Sequence, residues 1–155
     1  MEDTVILGLS PSIKYRMAKD DSTPMEILKV LAMDSDPKLR SMVAQHPETD
    51  ADTLQVLSVD KNPNVKSGVS LNPSTPSSIL EILSQSKEEI VLFNVASHPN
   101  STGDILRNLF LTENKKVRTA LAINEHTPFD LLPLLINEAG VLGKEVIEKR
   151  LRDGV

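Results

Sequence analysis

Leucine and other apolar residues return every 26 positions along this chain, so that Leu80 is followed by Leu106 and Leu83 by Leu109. Spacings of one, three and four within each copy put these residues on one face of an amphipathic helix. A fixed period of this length is typical of repeat proteins. The columns contain Ile27, Thr53, Ile79, Ile105 and Leu131, then Leu28, Leu54, Leu80, Leu106 and Leu132, then Leu31, Leu57, Leu83, Leu109 and Leu135.

A hydroxyl residue, often followed by proline, precedes each of these first helices. A hydroxyl at the N-cap accepts a hydrogen bond from an unpaired backbone amide, and proline at the next position loses nothing by lacking a donor. Glu26, three residues after Thr23, completes a predicted capping box. The N-caps that this pattern predicts are Thr23, Thr49, Thr75, Ser101 and Thr127.

A second helix follows the first in each copy, and it has apolar columns of its own. Its predicted starts are Asp36-Pro37, Asn62-Pro63, Glu88-Glu89 and Asn114-Lys115. The small residues of the last column permit two helices to approach closely. The columns are Leu39, Val65, Val91 and Val117, then Val43, Val69, Val95 and Leu121, then Ala44, Ser70, Ala96 and Ala122.

The repeat frays at both ends. Ile13, Met17 and Ala18 extend the second-helix columns toward the N-terminus, and residues 141–151 extend them toward the C-terminus. Pro133 should distort the last first helix, because proline removes a backbone donor. The pattern predicts an all-α fold, a right-handed α-solenoid of about six helix pairs in one domain. The predicted divisions are a partial repeat 1–22, repeats 23–48, 49–74, 75–100 and 101–126, and a capping repeat 127–155.

The strings DSDPKLR, DKNPNVK and TENKKVR place an arginine or lysine six residues after the first residue of each string. This resembles the aspartate and valine-arginine signature of HEAT repeats, and the whole unit is similar to the variant leucine-rich repeat family of bacterial proteins. The resemblance implies a binding scaffold rather than a reaction. Some members of the variant family carry a cysteine-ligated iron-sulfur cluster, and this chain has no cysteine to hold one. A related class of HEAT-like proteins comprises alkylated-DNA glycosylases.

The composition and charge limit the classes of partner that we expect. The 155 residues are 39% hydrophobic and 25% charged, as in ordinary globular domains. A net charge of −5 argues against a nucleic-acid partner, since phosphate binding normally leaves a basic footprint. No apolar run is long enough to span a bilayer, so we expect no membrane partner and a cytoplasmic protein.

One cation per repeat occupies the same helical position, at Lys14, Arg40, Lys66 and Arg118. These side chains could line a groove for an acidic peptide or a phosphate backbone. Alternatively, each cation bonds an aspartate or the backbone of an adjacent repeat, which is what the HEAT resemblance implies. The regularity of the column favours the structural alternative.

Recognisable catalytic chemistry is missing from the sequence. His46 and His98 share a column with Asn72 and Asn124, and they are two repeats apart, too far to bind one metal ion. We expect this column to bond backbone groups at a recurrent turn. No serine lies in a glycine-flanked elbow and no glycine-rich loop could hold a phosphate. We therefore predict no catalytic residue, no metal, no cofactor and no enzyme activity.

The period breaks in the middle repeat, where polar positions become apolar. Ile90 replaces lysine, Leu92 replaces arginine and Phe93 replaces serine or threonine. Exposed apolar clusters rimmed by charge often mark partner sites. Local repacking, with Phe93 filling space beside Gly68 or Ala120, is the alternative.

The sequence thus predicts a non-enzymatic scaffold that binds another protein or peptide, or a second copy, on its second helices. The predicted partner-binding residues are Ile90, Leu92, Phe93, Lys66, Arg118 and Arg40. Two alternatives stay open: a HEAT-like nucleic-acid binder using the basic column, and a glycosylase-like enzyme.

Overall fold

The structure is a computed structural model that describes residues 3–154. That range is all-helical and contains no β-strand, so the predicted all-α class is confirmed. None of its helices is both long and apolar enough to span a bilayer. The helices are α1 (Asp3–Leu7), α2 (Pro11–Met17), α3 (Met25–Leu31), α4 (Pro37–Gln45), α5 (Ala51–Ser58), α6 (Pro63–Leu71), α7 (Ser77–Leu83), α8 (Glu89–Ser97), α9 (Gly103–Phe110), α10 (Lys115–Ile123), a 3₁₀ helix (Phe129–Leu131), α11 (Leu132–Leu135) and α12 (Gly140–Asp153).

The helices form two compact units, Met1–Ile79 and Leu80–Val155, with the boundary inside α7. In the first unit α4 packs against α3, α5 and α6, and α1 packs against α3. A Cβ atom at Gly68 of α6 would lie 2.9 Å from the carbonyl oxygen of Ser41 and 3.0 Å from the Cβ of Ala44. Glycine is therefore what permits the spacing between α4 and α6. That the whole chain acts as one domain stays a prediction.

In the second unit α10 is the central helix. It packs against α8, α9, α11 and α12, while α8 also contacts α9 and α11 contacts α12. The first helix α9 buries Ile105, Leu106 and Leu109. Each unit therefore buries the apolar face of its first helices against its second helices.

The predicted core columns are buried. The central leucine column from Leu28 to Leu132 is 0% exposed throughout, and the second-helix columns are also buried. Removing a buried leucine side chain typically costs about 2–5 kcal/mol, because a cavity is left behind. Ile27 is the exception among the first-helix columns, being half-buried.

The predicted threonine caps are wrong. Each hydroxyl residue lies one position before the N-cap, where it donates to a carbonyl six residues earlier instead of accepting from an amide. The Oγ1 of Thr49 lies 2.5 Å from the Val43 oxygen, and that of Thr127 lies 2.6 Å from the Leu121 oxygen. The N-cap of α5 is Asp50, which accepts from the Thr53 amide. The same donation is made by Thr23, Thr75 and Ser101.

The capping box predicted for Thr23 and Glu26 is wrong for the same reason. The N-cap of α3 is Pro24, which has no side-chain acceptor. The second helices follow the prediction better, because Asp36, Asn62 and Asn114 are N-caps whose side chains accept backbone amides. The predicted hydroxyl residues thus secure the turns, while the side-chain caps of α4, α5, α6 and α10 are acidic or amide residues and that of α9 is Thr102.

The ends depart from the repeat as expected. Ile13 is 36% exposed and Met17 is half-buried, so only Ala18 keeps its core position in the first partial repeat. Near the other end the predicted first helix splits into a 3₁₀ helix and α11 around Pro133, which lies in the first turn of α11. In α12 Ile147 is buried, and the following residue, Glu148, is exposed.

Candidate functional site

The predicted cations Lys14, Arg40 and Arg118 each form an ion pair with an acidic residue twenty positions later. Lys14 lies 2.6 Å from Asp34, Arg40 lies 2.7 Å from Asp60, and Arg118 lies 2.6 Å from Glu138. The Arg40 pair is bidentate, and its guanidinium also donates to the carbonyl oxygens of Asp34 and Ser35. The contacts are those of the structural alternative, in which each cation bonds the adjacent repeat.

The electrostatics of these pairs follow from their partial burial. Hydrogen bonds from Arg40 hold the pKa of Asp60 below its usual value, and the charge of half-buried Lys66 adds to this. The Arg118 guanidinium stacks 4.6 Å from the centre of the Phe110 ring, with its Nε buried and unpaired. Partner binding by Arg40, Lys66 and Arg118 stays a prediction, and Arg40 and Arg118 already hold carboxylates.

The histidine and asparagine column bonds backbone groups at the turn after each second helix. Asn72 donates to the carbonyl oxygens of Ala44 and His46 and accepts from the Ser74 amide. His46 likewise accepts from the Glu48 amide through Nδ1, which leaves Nε2 to donate to the Asp20 oxygen at 2.9 Å. The predicted role at a recurrent turn is confirmed for this column.

The predicted apolar residues lie at a shallow groove between α8 and α10, called here the α8–α10 groove. It has a volume of about 260 Å³ and is lined by Glu89, Ile90, Phe93 and Lys116. Ile90 is 53% exposed and Phe93 is half-buried, whereas Leu92 is only 9% exposed. The structure therefore brings Ile90 and Phe93 together at the surface and directs Leu92 into the core.

An ion pair occupies one wall of the α8–α10 groove. The ammonium of Lys116 lies 2.5 Å from one carboxylate oxygen of Glu89, and the amide of Asn114 donates to the other. These bonds lower the pKa of Glu89. The charge of Lys116 is thus neutralised inside the groove.

A larger groove lies at the equivalent positions of the first unit, between α4 and α6, and is called here the α4–α6 groove. Its volume is about 520 Å³. Serine stands where the other groove has Phe93, lysine where it has Ile90, and proline where it has Glu89. Its walls carry hydroxyl, amide and ammonium groups. The lining residues are Pro37, Lys38, Ser41, Met42, Gln45, Asn62, Asn64, Ser67 and Gly68.

Lys38 is the cation of the α4–α6 groove, and its surroundings differ from those of Lys116. Its ammonium lies 5.5 Å from the centre of the Tyr15 ring, and within residues 3–154 it forms no ion pair. The Tyr15 hydroxyl donates to Asp36, which also accepts the Lys38 amide as N-cap of α4. The bond to Asp36 raises the pKa of Tyr15 and lowers that of Asp36. An exposed cation beside hydroxyl and amide donors can bind an anion.

The sequence prediction missed the α4–α6 groove because it looked for departures from the repeat, and this groove keeps the common pattern. One signal was available: position 11, which stands 27 residues before Lys38 as Glu89 stands before Lys116, is a proline, so Lys38 lacks the acidic neighbour that Lys116 has. No group of three or more histidine and acidic residues in the described part of the chain could hold a metal ion.

A sequence model of the ribulose-phosphate 3 epimerase family matches residues 26–154. No curated protein and no solved structure is significantly similar to the chain.

The match overturns the predicted family and the predicted function. The predicted family, a variant leucine-rich repeat or HEAT-like protein, is wrong. The predictions of a non-enzymatic scaffold and of no enzyme activity are wrong, because the matched family is one of epimerase enzymes. The two alternatives, nucleic-acid binding and alkylated-DNA glycosylase activity, fail with them.

The matched family and the observed fold disagree. The family is one of TIM-barrel enzymes, in which eight parallel strands alternate with helices over typically about 250 residues. Residues 3–154 of this chain are helical and contain no strand. The family assignment therefore rests on the sequence match, and the positions of the candidate binding and catalytic groups are taken from the helical structure.

Proposed function

Because the chain belongs to the ribulose-phosphate 3 epimerase family, we propose that it acts on a phosphorylated ketose and binds it in the α4–α6 groove. The family match over residues 26–154 carries the proposal. The groove adds support, since its volume of about 520 Å³ falls in the range of small-molecule sites.

The walls of the groove suit a sugar phosphate. Lys38 offers a positive charge for the phosphate, and the amides of Gln45 and Asn64 and the hydroxyl of Ser67 offer hydrogen bonds for sugar hydroxyls. Ser41 donates to the Asn64 carbonyl, which fixes its hydroxyl in the wall of the groove. Polar groups held by the two helices would meet the ligand without large rearrangement.

Epimerisation beside a carbonyl also needs groups that remove and return a proton. Among the described residues that line the groove, none has a carboxylate, imidazole or phenol side chain. The carboxylate next to the lining is Asp36, which precedes Pro37. Its low pKa keeps it ionised, as a base must be, but also makes it a weak base. We assign removal of the C3 proton to Asp36, with a proton returned to the opposite face from solvent and with Lys38 holding the phosphate.

Proton exchange at C3 of ribulose 5-phosphate in D₂O, followed by NMR, tests this assignment. Asp36→Asn keeps an N-cap for α4 but cannot take up a proton, so exchange should fall by about a hundredfold or more. Lys38→Ala should weaken ketose phosphate binding by about tenfold or more, because a charged hydrogen bond is lost.

Lys116→Ala is the matched control, since Lys116 occupies the same repeat position but is paired with Glu89. It should leave both exchange and binding unchanged. No exchange with the wild-type protein would refute the proposed activity. Exchange that survives Asp36→Asn would refute the role of Asp36 alone.

For the architecture, we propose that the helix pairs within each unit stack as a right-handed α-solenoid. The recurring bonds support this, since Asn72 and Asn124 each reach carbonyl oxygens 26 and 28 residues earlier. Interhelical NMR distance restraints within each unit would test whether its helix pairs stack with the right-handed twist of a solenoid.

The surface formed by Ile90 and Phe93 stays a proposed contact for another protein. Phe93→Ser should weaken capture of a partner while leaving the helical circular dichroism unchanged. If Phe93→Ser instead unfolds the protein, the ring belongs to the core.

A further inference from the structure

We propose that Tyr15 is a positioning residue that holds the Lys38 ammonium at the mouth of the α4–α6 groove; this rests on the proposed binding of a phosphorylated ketose there. Tyr15 does not line the groove. Its ring lies under the ammonium, with 5.5 Å between Nζ and the ring centre.

Lys38 can reach two surfaces. It lines the α4–α6 groove and also a neighbouring groove of about 440 Å³, lined in part by Lys19, Asp21 and His46. A flexible lysine side chain that serves two grooves loses entropy when it binds an anion in one of them. An attractive ring that holds the ammonium beforehand reduces this loss, since a cation is drawn to an aromatic face.

Asp36 ties the ring and the lysine backbone to one another. It accepts the Tyr15 hydroxyl through one oxygen and the Lys38 amide, at 2.9 Å, through the other. The ring is therefore held by the residue that caps the helix from which Lys38 projects. Tyr15 is the only tyrosine of the chain.

In the second unit an aromatic residue and a lysine occupy the equivalent repeat positions, but the lysine has a different partner. Phe93 and Lys116 are separated by the same number of residues as Tyr15 and Lys38, and both line the α8–α10 groove. There Glu89 neutralises the ammonium. At Tyr15 the corresponding residue is Pro11, so the ring holds the cation without cancelling its charge.

The test combines NMR of the labelled lysine side chains with titration by inorganic phosphate. In the wild-type protein the ring should shift the Lys38 ε-methylene protons upfield. Tyr15→Phe keeps the ring and should keep the shift, whereas Tyr15→Leu should abolish it. Tyr15→Leu should also weaken phosphate binding about two- to fivefold, the size of an exposed cation–π contact.

The two proposals fail in different ways. If the wild-type protein does not bind phosphate or the ketose phosphate, the proposed function fails and the positioning role fails with it. If the wild-type protein binds phosphate and Tyr15→Leu binds it equally well, only the positioning role is overturned. Lack of an upfield shift in the wild-type protein also overturns it. Circular dichroism checks that each variant is folded.

Discussion

The α4–α6 groove and the α8–α10 groove are built at equivalent repeat positions, 52 residues apart, yet they have different surfaces. The first has an unpaired lysine among hydroxyl and amide groups. The second has a half-buried phenylalanine, an exposed isoleucine and a neutralised lysine. The buried columns beneath both grooves are almost the same. Core positions thus preserve the helical framework, while a few positions on the second helices decide what each groove can bind.

The largest expected effect concerns a feature that both units share. Asn72→Ala and Asn124→Ala should each lower the free energy of unfolding by about 2–4 kcal/mol, because buried carbonyl and amide groups lose their partners. Urea denaturation measures both. Asn72→His should be tolerated better than Asn72→Ala, since His46 already fills this column and bonds both the amide two residues later and a carbonyl oxygen 26 residues earlier. Equal losses for Ala and His at position 72 would show that the column is not interchangeable.

The next effect tests a position at which the units differ. Arg40 and Asp60 form a bidentate pair, whereas the equivalent residues of the second unit are Leu92 and Thr112. Arg40→Leu alone should cost about 2–3 kcal/mol, because it strands a largely buried carboxylate.

The double variant Arg40→Leu with Asp60→Thr copies the second unit and should recover most of that loss, to within about 1 kcal/mol of wild type. Thermal or urea unfolding of the single and double variants provides the comparison. If the double variant is as unstable as the single one, the loss of stability comes from the missing ion pair itself and not from an uncompensated charge on Asp60.

Acid should affect the first unit through Asp50. Burial raises its pKa, but bonds from Lys29 and Thr53 prevail and lower it from 3.8 to about 2. The folded pKa is below the unfolded one, so this contribution is present above pH 4 and is lost as the pH falls from about 4 to 2. It amounts to about 2 kcal/mol at most.

Thr102 caps α9 at the equivalent position without a charge. Asp50→Thr should therefore flatten the stability profile between pH 4 and 2, as measured by urea denaturation at several pH values. An unchanged profile would assign the acid sensitivity to other carboxylates.

The smallest effect would make the two grooves more alike. Glu89→Gln removes the charge that neutralises Lys116, so the α8–α10 groove should gain weak phosphate binding, detected as a shift of the Lys116 NMR signals on titration. The affinity for phosphate should stay below that of the α4–α6 groove. The α8–α10 groove has Phe93 and Ile90 at the positions where the α4–α6 groove has the donors Ser41 and Lys38. Glu89→Asp, which keeps the charge, is the control. No gain with Glu89→Gln would show that a freed cation is not sufficient.

The helical class and the core were predictable from the sequence, because apolar residues that recur at the same positions of each repeat define the buried face of each helix. Leu54 and Leu106 occupy the same position of the repeat, and both are buried. The N-caps were not predictable in this way. Thr49 and Asp50 both have a side chain suited to capping, and only the path of the turn decides that Thr49 donates to Val43 while Asp50 caps α5.

The candidate site was harder to predict, since its decisive feature is that Lys38 forms no ion pair within residues 3–154. Ile90 and Phe93 stood out because they break the pattern, and the structure places both at the surface. Lys38 keeps the pattern, and what distinguishes it is proline at position 11 and a ring contributed by α2. A contact between side chains 23 residues apart depends on how the helices pack, which the apolar period does not specify.

The bonds of Asn72 and Asn124 have a consequence for how chain length can change over evolution. Each amide meets carbonyl oxygens 26 and 28 residues earlier. An insertion or deletion between a donor and its acceptors presents the asparagine with an equivalent carbonyl only when it contains a whole number of repeats. Duplication of one complete repeat would therefore preserve every such bond, whereas a shift by one residue would break it. Growth in whole repeats leaves substitutions on the second helices as the main route to new binding surfaces.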